Sequence, residues 1–310
     1  MESKRAGRLK RGDRVAVITP AAPVKREYVE GAVRRMAEEY GLKAEGMPHA
    51  LDTRDGYFAS TLENRANDFI EAWRNPDIKA ILCSRGGYGS VQLIPKIHQF
   101  LQDNPQLPPK WFIGFSDISI FHSLFTHLGI ESIHGPMAKN IATTPNESVR
   151  TLFDILLKDL RPSYSLTSHP YNLPGEGKGI LVGGNFATFH GLASTFLDPL
   201  KPEEAGNKVL FIEDVGENIY EINRMLYRLG VAGILSRLQG IIVGQFTLYK
   251  PDRSFETMED MIRHTLRQFP VDCPVVYNFS AGHIDNNLPL IMGSEVKISV
   301  EKDFSNIETR

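Results

Sequence analysis

The sequence predicts an α/β protein built from two domains. Three observations carry that reading. In the first half, short apolar runs alternate with segments of helical periodicity, the pattern of a parallel sheet covered by helices. Three of those apolar runs end in polar or glycine-rich turns, at the strand ends where such sheets hold their ligands. The composition then breaks once: three prolines and two glycines punctuate RPSYSLTSHPYNLPGEGK over residues 161–178, and the alternation resumes beyond it.

Taken in order, residues 14–20 (RVAVITP) read as a strand ending in a turn. Residues 24–40 read as a helix, with Val29, Val33, Met36 and Tyr40 on one face. A short strand over 43–47 and a helix over 62–73 follow. Residues 80–84 (AILCS) form a buried strand that ends at Arg85-Gly86-Gly87-Tyr88-Gly89. Residues 90–101 are helical, with Pro95 expected to shorten or kink the helix. A strand over 112–115, a helix over 118–128 and a short strand over 131–134 complete this half. The second half gives strands over 179–182, 208–212, 240–245 and 274–279, with helices near 187–196, 219–229 and 258–269. The expected division is a first domain over 1–160, a linker over 161–177 and a second domain over 178–310.

A length of 310 residues suits two domains, and 42% hydrophobic with 23% charged residues is ordinary for a soluble globular chain. A formal net charge of −2 gives no electrostatic basis for nucleic acid or an anionic membrane as the main partner. The basic run Lys4, Arg5, Arg8, Lys10, Arg11 leads straight into a strand and reads as a solvated tail, with no leader-like apolar run behind it. No window approaches the roughly 18 apolar residues of a membrane helix. Cys83 and Cys273 lie in or beside apolar strands, so buried free thiols are expected and a disulfide framework is not. These features point to the cytoplasm.

The chemistry-bearing stretch is WFIGFSDISI, residues 111–120. A buried strand, a tight turn and a helix would put the Ser116 hydroxyl at the tip of the turn, beside helix N-terminal N–H groups. A nucleophile and part of an oxyanion hole can come from such a turn. The plain alternative is that Ser116 or Asp117 is a helix N-cap. The glycine turn 85–89 matches neither G-x-G-x-x-G nor a P-loop, so no nucleotide cofactor is read from it. Its consecutive glycines still allow an anion site, or simply a tight turn. Among nine histidines, His134 and His283 sit at or past strand ends next to glycine, and His283 lies in the polar loop after strand 274–279. Glu213 is the first carboxylate at the end of the apolar run Val209-Leu210-Phe211-Ile212; Asp214 would face the other way and Glu217 would open the next helix. The chain order is then Ser116, Glu213, His283, with the nucleophile in one domain and its partners in the other. His283 and Asp285 have H-x-D spacing, to which Glu213 or His134 could add, but no H-E-x-x-H occurs, and no metal is expected.

With these residues in view, the chain resembles the LD-carboxypeptidase family of serine peptidases, which includes murein tetrapeptide carboxypeptidases and microcin C immunity peptidases. The matching stretches run in order along nearly the whole chain: Gly12 to Val17 through Pro20-Ala21, Ser84-Arg85-Gly86-Gly87-Tyr88-Gly89, Gly114-Phe115-Ser116-Asp117, His134-Gly135-Pro136, Gly183-Gly184-Asn185, Phe211-Ile212-Glu213-Asp214 and Gly282-His283. The resemblance implies an N-terminal Rossmann-like domain, a C-terminal mixed-sheet domain and a homodimer without a cofactor. It implies Ser116 as nucleophile, Glu213 as orienting acid and His283 as general base and acid. The oxyanion hole would come from the N–H groups of Asp117 and Gly87. Arg85, with Gly86 beside it, and Asn185 are substrate-binding candidates; their plain readings are an internal salt bridge for Arg85 and a helix N-cap for Asn185. The implied reaction is hydrolysis of the amide between an L-centre and a terminal D-amino acid, releasing D-alanine from a murein tetrapeptide. One departure from general α/β-hydrolases is the run Gly114-Phe115-Ser116-Asp117-Ile118, which lacks the second glycine of a nucleophile elbow.

Two other functions compete. An immunity peptidase would cleave aminoacyl- or peptidyl-nucleotide antibiotics with the same triad, but would need an aromatic platform, and the two tryptophans fall in a helix (Trp73) and a buried strand (Trp111). A non-catalytic muropeptide-binding protein would have no need of all three residues.

Overall fold

The computed structural model describes residues 3–53, 56–144 and 147–310. The chain forms two compact units: Met1–Leu160 with Asp285–Leu290, and Arg161–Ile284 with Ile291–Arg310.

The first unit alternates β1 (Arg14–Ile18), α1 (Arg26–Tyr40), β2 (Lys43–Gly46), α2 (Leu62–Arg74), β3 (Ile78–Cys83), α3 (Ile94–Asp103), β4 (Trp111–Gly114), α4 (Ser119–His127) and β5 (Ser132–His134). Helices α5 (Ala138–Thr143) and α6 (Glu147–Lys158) follow. The strands run in the order β5-β4-β3-β1-β2, every pairing parallel, as in a Rossmann-like sheet. β1, β3 and β4 are almost wholly buried, as strands covered on both faces must be. On one face, Phe69 and Trp73 of α2 stack with Phe121 and Phe125 of α4 over Phe112 of β4, each helix offering a pair four residues apart. The α-helix expected over 90–101 is shortened at its start, as expected from Pro95: α3 begins only at Ile94, with Pro95 in its first turn, where a missing N–H costs nothing, and Ser90–Leu93 form a 3₁₀ turn. The segment Asp285–Leu290 completes this unit. There the Asn286 Oδ1 accepts the Ser148 N–H at 3.1 Å and so serves one of the backbone donors in the first turn of α6.

The second unit contains β6 (Ser163–Thr167), β7 (Gly175–Asn185), α7 (Phe186–His190), β8 (Lys208–Val215), α8 (Ile219–Val231), β9 (Gly240–Thr247), α9 (Met258–Leu266) and β10 (Val275–Val276). β11 (Leu290–Met292) starts on the last residue of the first unit's returning segment and belongs to the first sheet, and β12 (Glu295–Val300) and β13 (Phe304–Thr309) then complete the second unit. The sheet order is β10-β9-β8-β7-β12-β13-β6: parallel from β10 to β7 and antiparallel from β7 to β6, a mixed sheet. Its core packs Phe186, Leu210, Ile212, Ile222, Leu226, Val243 and Met261 between the parallel strands and helices α7, α8 and α9.

Several expected elements differ. Residues 161–177 are not merely a connection: β6 pairs with β13 there, and β7 begins at Gly175. α7 stops at His190 instead of reaching 196, because Ser194 takes a left-handed φ of 64° and its N–H turns to the Asp198 carboxylate. β10 is only two residues long, since the Tyr277 N–H is taken by the Asn172 side chain and Asn278 turns the chain at φ 61°.

Candidate active site

In the first unit, β4 delivers the chain to Ser116, which is held at φ 70°. A left-handed backbone is costly for a residue with a Cβ and persists only where the surroundings impose it. One restraint comes from α4. The His122 Nε2 lies 2.9 Å from the Gly114 carbonyl and its Nδ1 lies 2.8 Å from the Ser132 hydroxyl. A carbonyl only accepts, so Nε2 carries the proton and Nδ1 accepts from the serine. Burial pushes the His122 pKa down to about 3, which keeps the ring neutral. Ser116 opens a single 3₁₀ turn over Ser116–Ile118, and α4 starts at Ser119 without a side-chain cap. The N-cap reading of Ser116 and Asp117 therefore fails: the buried Asp117 carboxylate instead accepts the Ser90 N–H at 2.8 Å.

The glycine turn after β3 lies against this serine. A Cβ on Gly86 would fall 2.8 Å from the Ser116 Cβ, 3.0 Å from its Oγ and 3.2 Å from the Asp117 nitrogen, so no side chain fits there. Gly87 and Tyr88 are exposed, while Gly86, Gly89 and Ser90 are buried. Arg85 is half-buried, and its Nη1 donates to the Pro23 carbonyl at 3.2 Å; among the described residues it forms no ion pair. The other strand-end histidine, His134, is buried between the rings of Phe115 and His122.

In the second unit, Glu213 is fully buried on β8 and its Oε2 lies 2.8 Å from the His283 Nδ1. A bulge in the pairing of β8 with β9 falls at this residue: Ile212 pairs with Val243, but Asp214 pairs with Phe246. Bulges re-aim side chains and are common beside active sites. His283 hangs from β9, because the Gln245 N–H donates to the Ala281 carbonyl at 2.9 Å and the Gln245 side chain holds Asn278 and the Phe279 carbonyl. Gly282, at φ 132°, lies so close to Glu213 that a Cβ would meet Oε2 at 2.9 Å. Asn185 is the β7 partner of Glu213 in register. It is the N-cap of α7, with Oδ1 accepting the Thr188 N–H, and its Nδ2 donates to Asp214.

The strand-end reading of the sequence leads to Ser116, Gly86, Glu213 and His283. It missed His122 and Gln245, which hold the chain two residues before Ser116 and two to five residues before His283. For Gln245 the signal was available: a polar residue at the end of an otherwise apolar strand.

Comparison with known proteins agrees with this architecture. Residues 15–135 match the LD-carboxypeptidase N-terminal domain and residues 178–298 match the LD-carboxypeptidase C-terminal domain. The murein tetrapeptide carboxypeptidase of Pseudomonas aeruginosa is 30% identical over 284 residues, covering 87% of this chain and 88% of that protein. The chain belongs to the LD-carboxypeptidase family. Two solved structures share its fold. An MccF-like protein from Bacillus anthracis has a TM-score of 0.83 at 23% identity over 99% of this chain and 100% of that one. Muramoyltetrapeptide carboxypeptidase from Oxalobacter formigenes has a TM-score of 0.80 at 23% identity, over 96% and 98%.

The second unit of this LD-carboxypeptidase carries further carboxylates near Glu213. Burial raises the Asp214 pKa, opposed by the N–H groups of Ala187 and Val215 that donate to it. Glu217 is pushed up to about 7, first by burial and then by Glu221 and Asp214 beside it. Among the described residues of this carboxypeptidase, no three His, Cys, Asp or Glu side chains are grouped to hold a metal ion, and no helix is long and apolar enough to cross a membrane.

Proposed function

We propose that this LD-carboxypeptidase hydrolyses the amide between an L-centre and a terminal D-amino acid, releasing D-alanine from murein tetrapeptide. The Ser116 Oγ attacks the carbonyl carbon while the His283 Nε2 takes its proton. Glu213 accepts from the His283 Nδ1–H, sets the tautomer and stabilises the imidazolium. The N–H groups of Asp117 and Gly87 receive the oxyanion, each worth about 3–4 kcal/mol. His283 then protonates the leaving amine, D-alanine departs, and water activated by His283 resolves the Ser116 ester to free the tripeptide. Arg85 offers its planar fork to the terminal carboxylate, Gly86 gives the substrate room beside Ser116, and Asn185 offers a hydrogen bond at the strand edge.

The observation that carries this reading is the 2.8 Å pairing of a fully buried Glu213 with His283, in a chain of this family. The murein tetrapeptide name of the Pseudomonas aeruginosa relative supports the substrate class. We further propose that the chain works as a cytoplasmic homodimer. The two free, buried cysteines suit a reducing compartment.

Mass spectrometry of the protein incubated with free tetrapeptide, beside a Ser116→Ala control, tests the reading. Loss of one alanine with the wild type alone is expected. Equal cleavage by both would remove Ser116 from the mechanism. Cleavage by neither would shift the substrate to aminoacyl- or peptidyl-nucleotide amides.

A further inference from the structure

Arg65 projects from α2 and is only 2% exposed. Arginine is seldom buried to this degree unless its donors are engaged. Here Nε donates to the Ser60 carbonyl at 3.1 Å, Nη1 to the Pro20 carbonyl at 2.6 Å and to the Gly89 carbonyl at 3.1 Å, and Nη2 to the Gln92 Oε1 at 2.8 Å. The Phe58 ring lies 4.8 Å beneath the guanidinium carbon. These acceptors come from the exit of β1, the loop before α2, the end of the glycine turn and the 3₁₀ turn after it. Gly89 shows how tight the fit is: at φ 122°, a Cβ on it would fall 3.0 Å from the Arg65 Nη1 and 2.7 Å from the Phe58 ring.

The next residue is fixed from the other side, because the Ser90 N–H is held by Asp117, the neighbour of Ser116. At the opposite end of the turn, Gly86 rests against Ser116. The glycine turn is thus clamped at its far end by one guanidinium and one carboxylate, with its near end against the candidate nucleophile. Consecutive glycines carry the largest backbone entropy of any residues. Amide donors are most effective in catalysis when they need no ordering at the moment of reaction.

We propose that Arg65 is a positioning residue for catalysis: through the Gly89 carbonyl it holds the glycine turn in the conformation that presents the Gly87 N–H beside Ser116. This rests on the reading of that N–H as an oxyanion donor. Lysine cannot take over the role, because a single ammonium cannot reach acceptors spread around a planar fork.

The test uses Arg65→Lys and Arg65→Met in the full chain. It measures kcat and KM separately on tetrapeptide, near-UV circular dichroism for the folded state, and hydrogen exchange at the Ser90 and Gln92 amides, which bond to Asp117 and to the Gly89 carbonyl. In both variants kcat is expected to fall about tenfold or more with KM within about threefold, as for a lost transition-state interaction. Exchange at Ser90 and Gln92 is expected to quicken while α4 stays protected. A folded variant with wild-type kcat, or with unchanged exchange at those amides, overturns the proposal. If the wild type itself leaves tetrapeptide intact, the proposed function falls and the exchange result alone decides. If neither Arg65 variant folds, Gln92→Ala removes one acceptor and leaves the guanidinium. The same signature at smaller amplitude supports the role, and unchanged exchange overturns it.

Discussion

The Asp117 carboxylate accepts the Ser90 N–H at 2.8 Å, so the residue next to Ser116 reaches across to the end of the glycine turn. Both residues are buried, and water cannot substitute for either partner. Asp117→Ala would leave the Ser90 N–H unpaired, at a cost of about 1–3 kcal/mol. Asp117→Asn keeps an acceptor oxygen and should cost less than half of that. Thermal unfolding of the two variants checks the order; equal melting temperatures for Asp117→Ala and the wild type would show that this bond contributes nothing.

Gly282→Ala should disable the site while sparing the second unit. The added methyl meets the Glu213 Oε2 at 2.9 Å and forces a side chain onto a φ of 132°, so the Glu213–His283 pair must open. A fall in kcat on the order of a hundredfold is expected, toward the loss seen when a triad histidine loses its orientation. Steady-state kinetics with unchanged far-UV circular dichroism would meet the expectation; wild-type kcat would not.

Glu213→Gln should separate stability from activity. Its carboxylate is fully buried, and burial of a charge costs several kcal/mol before pairing offsets it. The isosteric amide avoids that cost but cannot stabilise an imidazolium. The variant should therefore lose about 10²–10⁴ in kcat and melt no lower than the wild type. A melting temperature well below the wild type would mean that the Glu213–His283 hydrogen bond is a net stabiliser.

His122 should make the first unit acid-sensitive. Its folded pKa of about 3 is depressed from 6.5, so the unfolded chain binds the extra proton between those values. Stability is full above pH 6.5 and declines as pH falls towards 3, by about 1.4 kcal/mol for each pKa unit of the shift as an upper bound. His122→Asn offers an amide in place of the ring and removes the titration. Denaturant unfolding between pH 7 and 4 should show a shallower slope for the variant, despite a lower plateau at pH 7.

What could be read in advance divides along physical lines. The buried parallel strands were legible because a strand covered on both faces is a continuous apolar run, as in β3 and β8. The strand ends then pointed to Ser116, Gly86, Glu213 and His283. β6 was not legible: SYSLT is half-exposed at a sheet edge and pairs with β13, more than a hundred residues on. Arg65 was hidden for a related reason. It shares a helix face with Phe69 and Ala72, which a periodicity argument treats as a charge escaping to solvent. Its burial is decided by carbonyls from three segments outside the helix, and no local window contains them.

The Asn286 side chain that serves the start of α6 stands 138 residues after its partner Ser148. At roughly 5–20 residues per second, a ribosome makes Ser148 some 7–28 seconds before it makes Asn286. The first unit is therefore first to begin and among the last to finish, since Asp285–Leu290 reach it only after nearly all of the second unit has been synthesised. During that interval the Ser148 N–H is without its Asn286 acceptor, and a nascent chain halted before residue 285 would carry a first unit still missing its final piece.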